Sequence, residues 1–464
     1  MSDVTSRRRT TLLWVLGTAL AGLVFDGYDL AVYGAVMPEF RERGGLIFEA
    51  LAPELQTALT ASAGVPPDQL TDGMKEAIAA ASGLGGVLGS LAPLGMLLGA
   101  LGIGAVGDRI GRRIPMLAST AWLSVGMALT AMAPDAATFG VMRLVTGIGI
   151  GALAATTAVV VSEMAPEGRK NLSNAIVFSG IPLGSMFAAA SALVALDLIG
   201  WRGLFWLGAL PLVTLLPLTF WKLPESVVWL ESRGKHEEAR LVSQRRGIPV
   251  PGAPVWPVDE ETKGGFTELF GRRFLLPTVV LGLLSAVGML LVYSLNTWLP
   301  QLTEGLLGEQ SSLVLLLALN VGAVAGGLGG SWAADRWGAK PVIAVLFAVG
   351  AVGIVLATTT ATPGLISLMM TAVGIVGIGT SGTQTLIYGF VANYYPTTSR
   401  AAATSWCAGF GRLGGVAGPL VGGVLAAAFP EDLSRVFYVL AAICVFGVVL
   451  VMVTPRSPEA DQPT

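Results

Sequence analysis

"GAVGDRIGRRIP", residues 104–115, and "SWAADRWGAKP", residues 331–341, decide the fold between them. Each carries Asp-Arg, one intervening residue, a glycine and then basic character, and Asp108 and Asp335 stand almost half the chain apart. Self-similarity at such a distance means that one large unit occurs twice. Two further pairs keep nearly the same spacing. "EMAPEGRKNLSNA" (163–175) is echoed by "NYYPTTSRAAATS" (393–405), which matches Arg169 with Arg400, and "TGIGIGAL" (146–153) faces "AVGIVGIGTSG" (372–382).

The repeated unit is membrane-spanning. The 464 residues are 53% hydrophobic and 12% charged, with a mean hydropathy of +0.71, too apolar for an ordinary soluble domain. Apolar runs of about 20 residues, the length of a bilayer-crossing helix, lie near 12–37, 83–106, 114–133, 138–161, 172–196, 203–221, 274–299, 311–334, 341–360, 364–388, 404–428 and 433–454. The expectation is an all-α membrane protein of twelve transmembrane helices in two pseudo-symmetric six-helix bundles. The bundles would span 1–221 and 274–464, with the short C-terminal tail in the second. A central loop, 222–273, would join them through an amphipathic helix (224–247) and a Pro-rich linker (248–257). Paired bundles of this kind enclose a central site and rock against each other. The segment 39–82 is long for a connection and has helical character at "DQLTDGMKEAIAAASG".

Several function classes drop out. The first apolar run is too long, holds two acids and lacks a small-residue cleavage site, so it reads as the first span rather than a leader. Cys407 and Cys444 sit in separate predicted helices with no CxxC spacing, which argues against a disulfide framework or a metal site. The sole histidine, His236, lies among charges in the central helix and reads as solvated. No cofactor, metal, nucleic acid or obligate protein partner is expected; the partners are a small solute, protons and the lipid bilayer. Most of the 28 Lys and Arg residues fall on the side of both termini and the central loop. Arg41, Arg43, Lys75, Arg202 and Arg435 fall on the other side, while Arg143 and Arg412 are embedded. The positive-inside rule then makes both termini cytoplasmic in a plasma or bacterial inner membrane.

The loop at 104–113 places Asp108, Arg109, Arg112 and Arg113 in a glycine-flanked turn. It reads as a latch that pairs with helix ends in one state and opens in another, the alternative being a simple positive-inside anchor. The run G-x-x-x-D-R-x-G-R-R, its second copy with Asp335 and Arg336, "RLVTGIGIG" (143–151) and "LPESVVWL" (223–230) resemble the major facilitator superfamily across the whole chain. The second copy departs from that pattern at Ser331 and Ala339, which implies a weaker latch there.

The first span poses a harder problem: "LAGLVFDGYDLAVYGAVMP" (20–38) holds Asp26 and Asp29 at membrane depth. At i and i+3, they share one helix face, with Tyr33 a turn beyond. Facing lipid they would be prohibitive; facing a wet cavity they can exchange protons. Burial and mutual repulsion both disfavour the doubly ionised pair, as a reversible proton carrier requires. Pairing with a neighbouring arginine for packing is the alternative. "DGYD" also resembles the D-G-[FY]-D signature of the aromatic acid/proton symporter family.

Arg412, in "WCAGFGRLGGVAGP" (406–419), is the matching feature of the second half. A guanidinium in a glycine-rich span demands an acceptor, and its fork suits a carboxylate, whether that of a substrate or of Asp26 or Asp29. The resemblance implies roles for Arg412 and for Arg400, the latter as a gate. It also associates Arg143 with proton coupling and pairs it with Glu163, further along the same helix; a bond from Arg143 to backbone or to Asp29 is the alternative. Arg169 joins the gating set. Tyr33, Tyr293, Asn296, Trp406 and Phe410 are candidate cavity walls, Gln384 a candidate neutral hydrogen-bonding group, and Trp298 a candidate interfacial belt residue.

The expectation is a proton-coupled importer of an aromatic carboxylate, benzoate first and protocatechuate, 4-hydroxybenzoate or gentisate next. The alternative is a transporter of another small organic acid, sugar or drug on the same fold. An intramembrane enzyme would need a nucleophile or metal ligands at depth, and a sensor would need a signalling domain; neither is in the sequence.

Overall fold

A computed structural model of the chain describes residues 2–66, 69–164, 173, 176–248, 266–360, 363–396, 399–430, 432 and 434–455. All regular structure among these residues is helical. In chain order the helices are α1 (Ser2–Arg41), α2 (Leu46–Glu49), α3 (Pro53–Ser62), α4 (Asp72–Ile110), α5 (Arg113–Ala131), α6 (Ala136–Met164), α7 (Gly180–Gly208), α8 (Leu215–Lys222), α9 (Val227–Ser232), α10 (His236–Arg246) and α11 (Phe266–Leu269). They continue as α12 (Leu275–Leu307), α13 (Glu309–Trp337), α14 (Ala339–Thr359), α15 (Ile366–Gly379), α16 (Ser381–Tyr394), α17 (Arg400–Ala428) and α18 (Ser434–Val453).

Eleven helical stretches among the described residues are long and apolar enough to cross a membrane, α15 and α16 together forming one of them. The expected sixth span, 203–221, is apolar but broken. Gly200, at φ 62°, turns the chain inside α7 and separates this passage from the fifth span; helix resumes from Trp201, passes through a 3₁₀ turn at Leu210–Leu212 and restarts as α8. Pro211 and Pro217 lack the N–H that a continuous helix needs. Hydropathy counts this passage as one span because a window average does not register such breaks.

The repeat extends to single contacts. A Cβ on Gly95 or Gly99 of α4 would fall 2.1 or 1.9 Å from the carbonyl oxygens of Leu144 and Ile148 in α6. On Gly322 or Gly326 of α13 it would fall 1.9 or 2.6 Å from those of Gly374 and Ile378 in α15. One register thus carries α4 onto α13, and another, Leu144 to Gly374 and Ile148 to Ile378, carries α6 onto α15. Likewise Gly184 abuts the Val24 carbonyl and Gly414 that of Ala286, a register that carries α7 onto α17 and α1 onto α12. Backbone contact of this kind is how membrane helices associate where burial of apolar surface gives no net drive.

Contacts between the first six spans and the last six involve α4 with α17, α7 with α13 and α1 with α12. They concentrate away from the termini: Gly86 lies against Pro419, and Gly34 against Asn296. The segment 39–82 is a cap. Leu46, Ile47 and Phe48 are buried, α3 packs on α4, and the Thr71 hydroxyl caps α4 by accepting from the Met74 N–H.

The expected single helix at 224–247 is instead a hairpin. Gly234, at φ 70°, separates α9 from α10, and Val227, Leu230, Ala239 and Ile248 close a small core between them. Thr11 donates to the Arg246 carbonyl at 3.0 Å, tying the hairpin to α1. The Pro-rich linker beyond Ile248 lies outside the described residues.

Candidate substrate and proton site

Helix α1 carries both acids into the interior, where their fates diverge. Asp29 is 0% and Arg143 2% exposed; Arg143 Nη1 donates to Asp29 Oδ1. The guanidinium also lies over the rings of Tyr33, at 5.4 Å, and Phe205, at 5.9 Å, a cation–π arrangement that gains from desolvation. The Tyr33 hydroxyl is occupied, donating to the Gly85 carbonyl at 2.6 Å. Asp29 Oδ2 and Arg143 Nε have no hydrogen-bond partner, so this buried pair is only half satisfied.

Asp26, 4% exposed, meets a different partner. Its principal charged neighbours are Arg412 of α17 and then Asp29. Arg412 is half-buried and is absent from the ion pairs within 4 Å among the described residues. A small cavity of about 10 Å³, near the minimum for one water, lies between the halves. Asp29, Tyr33, Met96, Arg143, Tyr293 and Thr297 are among its walls. The Tyr293 hydroxyl contacts Met96 Sδ at 3.2 Å, bridging α12 and α4.

On the second-half side of Arg412 lies a polar group only partly expected. Gln384 Nε2 reaches Ser285 Oγ at 3.4 Å, and Tyr388 sits beside Arg412, Gln384 and Ser285. Gly288 and Gly411 make the space, since a Cβ there would lie 2.0 Å from Gln384 Oε1 and 2.4 Å from Ser285 Oγ. Sequence reasoning missed Tyr388 and Ser285. The signal for Tyr388 was its place one turn after Gln384; for Ser285 there was none.

Other expected wall residues stand elsewhere. Asn296 Oδ1 accepts from Asn320 Nδ2 at 3.0 Å, a buried pair between α12 and α13. Trp406 donates to the Thr278 carbonyl at 3.0 Å and packs edge-on against Phe270 and at a tilt against Phe410. Its polar edge is thus spent on packing toward the terminal side. Trp298 is no belt residue: it is 1% exposed and donates to the Pro419 carbonyl.

The description "Sugar (and other) transporter" matches residues 14–288, and "Major Facilitator Superfamily" matches 308–464. The chain belongs to the major facilitator superfamily. It is homologous to aromatic acid transporters. The "Gentisate transporter" of Corynebacterium glutamicum is 31% identical, over 92% of this chain and 85% of that one. The 4-hydroxybenzoate transporter PcaK of Pseudomonas aeruginosa is 30% identical over 86% and 83%, and the "Benzoate transport protein" of Acinetobacter baylyi 27% over 95% and 91%. The fold matches the crystal structure of a D-xylose-proton symporter, with TM-score 0.70 and 17% identity over 97% of this chain and 99% of that one. A partially occluded inward-open conformation of the xylose transporter XylE matches equally, with TM-score 0.70 and 17% identity over 98% and 100%. The protein is therefore a multi-pass membrane transporter of a small organic solute.

In this superfamily member the loop motif between α4 and α5 meets "LPESVVWL" directly. Glu225 accepts from the backbone N–H of Arg112 at 2.7 Å, of Arg113 at 3.3 Å and of Ser226 at 2.9 Å. Gly111, at φ 95°, leaves no room for a Cβ beside that carboxylate. An acid at the α5 N-terminus meets unpaired donors and the positive end of the helix dipole. Arg112 also pairs with Glu163 at 2.9 Å. Glu163 therefore does not meet Arg143: their separation along one helix is about 30 Å. Arg113 donates to the Phe220 carbonyl at 2.5 Å, at the end of α8. Lys340, its counterpart in the second copy, donates to the Met452 and Thr454 carbonyls at the end of α18. Arg109, Asp335 and Arg336 are exposed, Arg336 lying over the Trp332 ring. Arg400 is half-buried with Nε unpartnered. Arg169 and the Asp108 side chain lie outside the described residues.

Proposed function

We propose that this transporter imports a small aromatic carboxylate together with protons, benzoate first and hydroxybenzoates such as gentisate, protocatechuate or 4-hydroxybenzoate next. The reading rests on one observation: a half-buried guanidinium, Arg412, is the main charged neighbour of a buried carboxylate, Asp26, across the seam and has no close ion pair among the described residues. A carboxylate cargo competes with Asp26 for Arg412, and a proton on Asp26 removes the competitor. Asp29 and Arg143 form the second coupling pair, in which a proton on Asp29 releases the guanidinium. Tyr293, Gln384, Ser285 and Tyr388 line the cargo side. The relatives' printed substrates, all aromatic acids, support the ring. The Glu225–Arg112–Glu163 network, with Arg113, serves as the latch on the terminal side, and the basic-residue bias makes that side cytoplasmic.

The energetics require coupling. A monoanion entering a negative interior is opposed by about 2.3 kcal/mol per 100 mV; one proton cancels that and two reverse it. The test is uptake of labelled benzoate into proteoliposomes under an inward proton gradient, with hydroxybenzoates as competitors. Asp26→Asn and Asp29→Asn should each abolish accumulation while leaving exchange partly intact. Arg412→Lys should raise the half-saturation concentration about tenfold or more, a point charge replacing a fork. Uphill uptake surviving in both aspartate variants would end the proposal.

A further inference from the structure

The outer ends of the two halves are filled differently. In the first, the Phe40 ring packs edge-on at 5.1 Å from both Phe139 and Trp201, and Phe139 lies 5.5 Å from Phe205. Three of these rings, Phe40, Phe139 and Phe205, have counterparts in the second half. The register that sets Val24 of α1 against Ala286 of α12 takes Phe40 to Leu302, and the one that sets Leu144 of α6 against Gly374 of α15 takes Phe139 to Met369. The buried sets Leu204, Phe205 and Val436, Phe437 align Phe205 with Phe437. Two rings of the first half are thus replaced by aliphatic chains.

At that place the second half holds a cavity of about 50 Å³, walled by Leu302, Met369 and Phe437 among others. These three are 3%, 1% and 8% exposed. Of its described lining residues only Thr358 and Ser434, at the end of α14 and the start of α18, are half-exposed. No charged side chain among the described residues lines it.

We propose that this cavity is a binding site for a small uncharged apolar molecule, a single unsubstituted aromatic ring being the occupant. The pseudo-symmetric position supplies the argument: the same backbone frame closes around phenyl rings in the first half. An apolar cavity of about 150 Å³ stays dry and takes up benzene; this one is smaller, about 50 Å³, so a ring enters as Met369, unbranched and adaptable, yields to it. A carboxylate would find no partner there and would forfeit its hydration, so the site is distinct from that of the transported anion. The cavity backs onto α12 at Leu295 and Leu299, flanking Asn296, against which Gly34 of the first half is packed. An occupant therefore braces the outer seam and slows transport.

The probe is benzene added to the purified transporter, read by thermal unfolding and by uptake after reconstitution. Benzene should raise the midpoint of the native protein by about 1–2 °C and lower its uptake rate. Met369→Phe, which supplies the missing ring, should have the higher midpoint without benzene and respond to it in neither assay. Ala357→Leu, filling the cavity from α14, is the second variant should the first fold poorly, with the same expectation. No response of the native protein, or equal responses in native and filled proteins, would overturn the site.

Discussion

The pairing of Asp29 with Arg143 can be separated into its structural and functional parts because the second half provides the comparison. In the same two registers, Asp29 corresponds to Leu291 and Arg143 to Val373, both buried. The fold thus already accommodates an apolar pair at this position. With the partners 0% and 2% exposed, Asp29→Leu alone strands a buried guanidinium, and Arg143→Met alone strands a buried carboxylate. Each should cost about 3–5 kcal/mol. Made together, the two changes leave no orphan charge, and methionine keeps much of the length of the arginine stem beneath the Tyr33 and Phe205 rings. The double variant should return to within about 1 kcal/mol of the native protein or exceed it. Thermal unfolding of the three purified variants measures this, and proteoliposome uptake under a proton gradient measures function. The expected outcome is a double variant that is stable yet does not accumulate substrate. A double variant as unstable as the singles would make the ion pair a requirement of packing. A stable one that still pumps uphill would remove the pair from the proton path.

Glu225→Ala leaves three backbone N–H groups at the start of α5 and at Ser226 without their acceptor and should lower stability by about 1–3 kcal/mol. Glu225→Gln, which keeps one acceptor oxygen, should recover part of that, and an unchanged unfolding midpoint in the alanine variant would show the cap to be idle. Gly95→Ala and Gly322→Ala should each cost about 1–3 kcal/mol, because a methyl meets a carbonyl at 2.1 and 1.9 Å; a variant that unfolds like the native protein would contradict the close packing at that site. Arg113→Met and Lys340→Met remove cations from the ends of α8 and α18, each worth about 0.3–1 kcal/mol. Comparable small losses in thermal unfolding are expected, and a large loss in only one would contradict the equivalence of the two copies.

The parts of the fold legible in the sequence are those that average over many residues. Hydropathy finds the spans, and the repeat survives because glycines that touch carbonyls must stay in register, as Gly95 and Gly322 do. What hides is decided by single residues or by rotation about a helix axis. Pro211 and Pro217 break the sixth passage within one hydropathy window, and Gly234 divides what reads as one amphipathic helix. In the site, that Asp26, Asp29, Arg143 and Arg412 belong to the interior follows from the cost of exposing charge to lipid. Which acid meets which arginine does not follow: two aspartates on one face of α1 still look toward different neighbours, and only packing of α6 and α17 assigns them. Glu163 was open to misreading because a motif spacing says nothing of distance; the length of α6 puts it with the loop at Arg112.

The distribution of charge between the halves bears on how a cycle can run. Asp26, Asp29, Arg143 and Arg412 sum to zero at full ionisation, and the first half holds three of them while Leu291 and Val373 stand where the second could have held its own pair. A monoanion reaching Arg412 brings that sum to minus one. Enclosing an unbalanced charge away from water costs several kcal/mol, far more than closure of a rocking interface can supply through the small glycine contacts seen at Gly34 and Gly86. Protonation of one aspartate restores neutrality, so in the proposed mechanism a proton is a condition of closing around the anion rather than an accessory to it. The same reasoning makes the empty carrier, with Asp29 ionised and held by Arg143, free to return without a proton. That ordering predicts that exchange of substrate across the membrane proceeds without net proton flow, whereas uphill net uptake stops when the gradient is collapsed. A protonophore that slows exchange as strongly as net uptake would refute it.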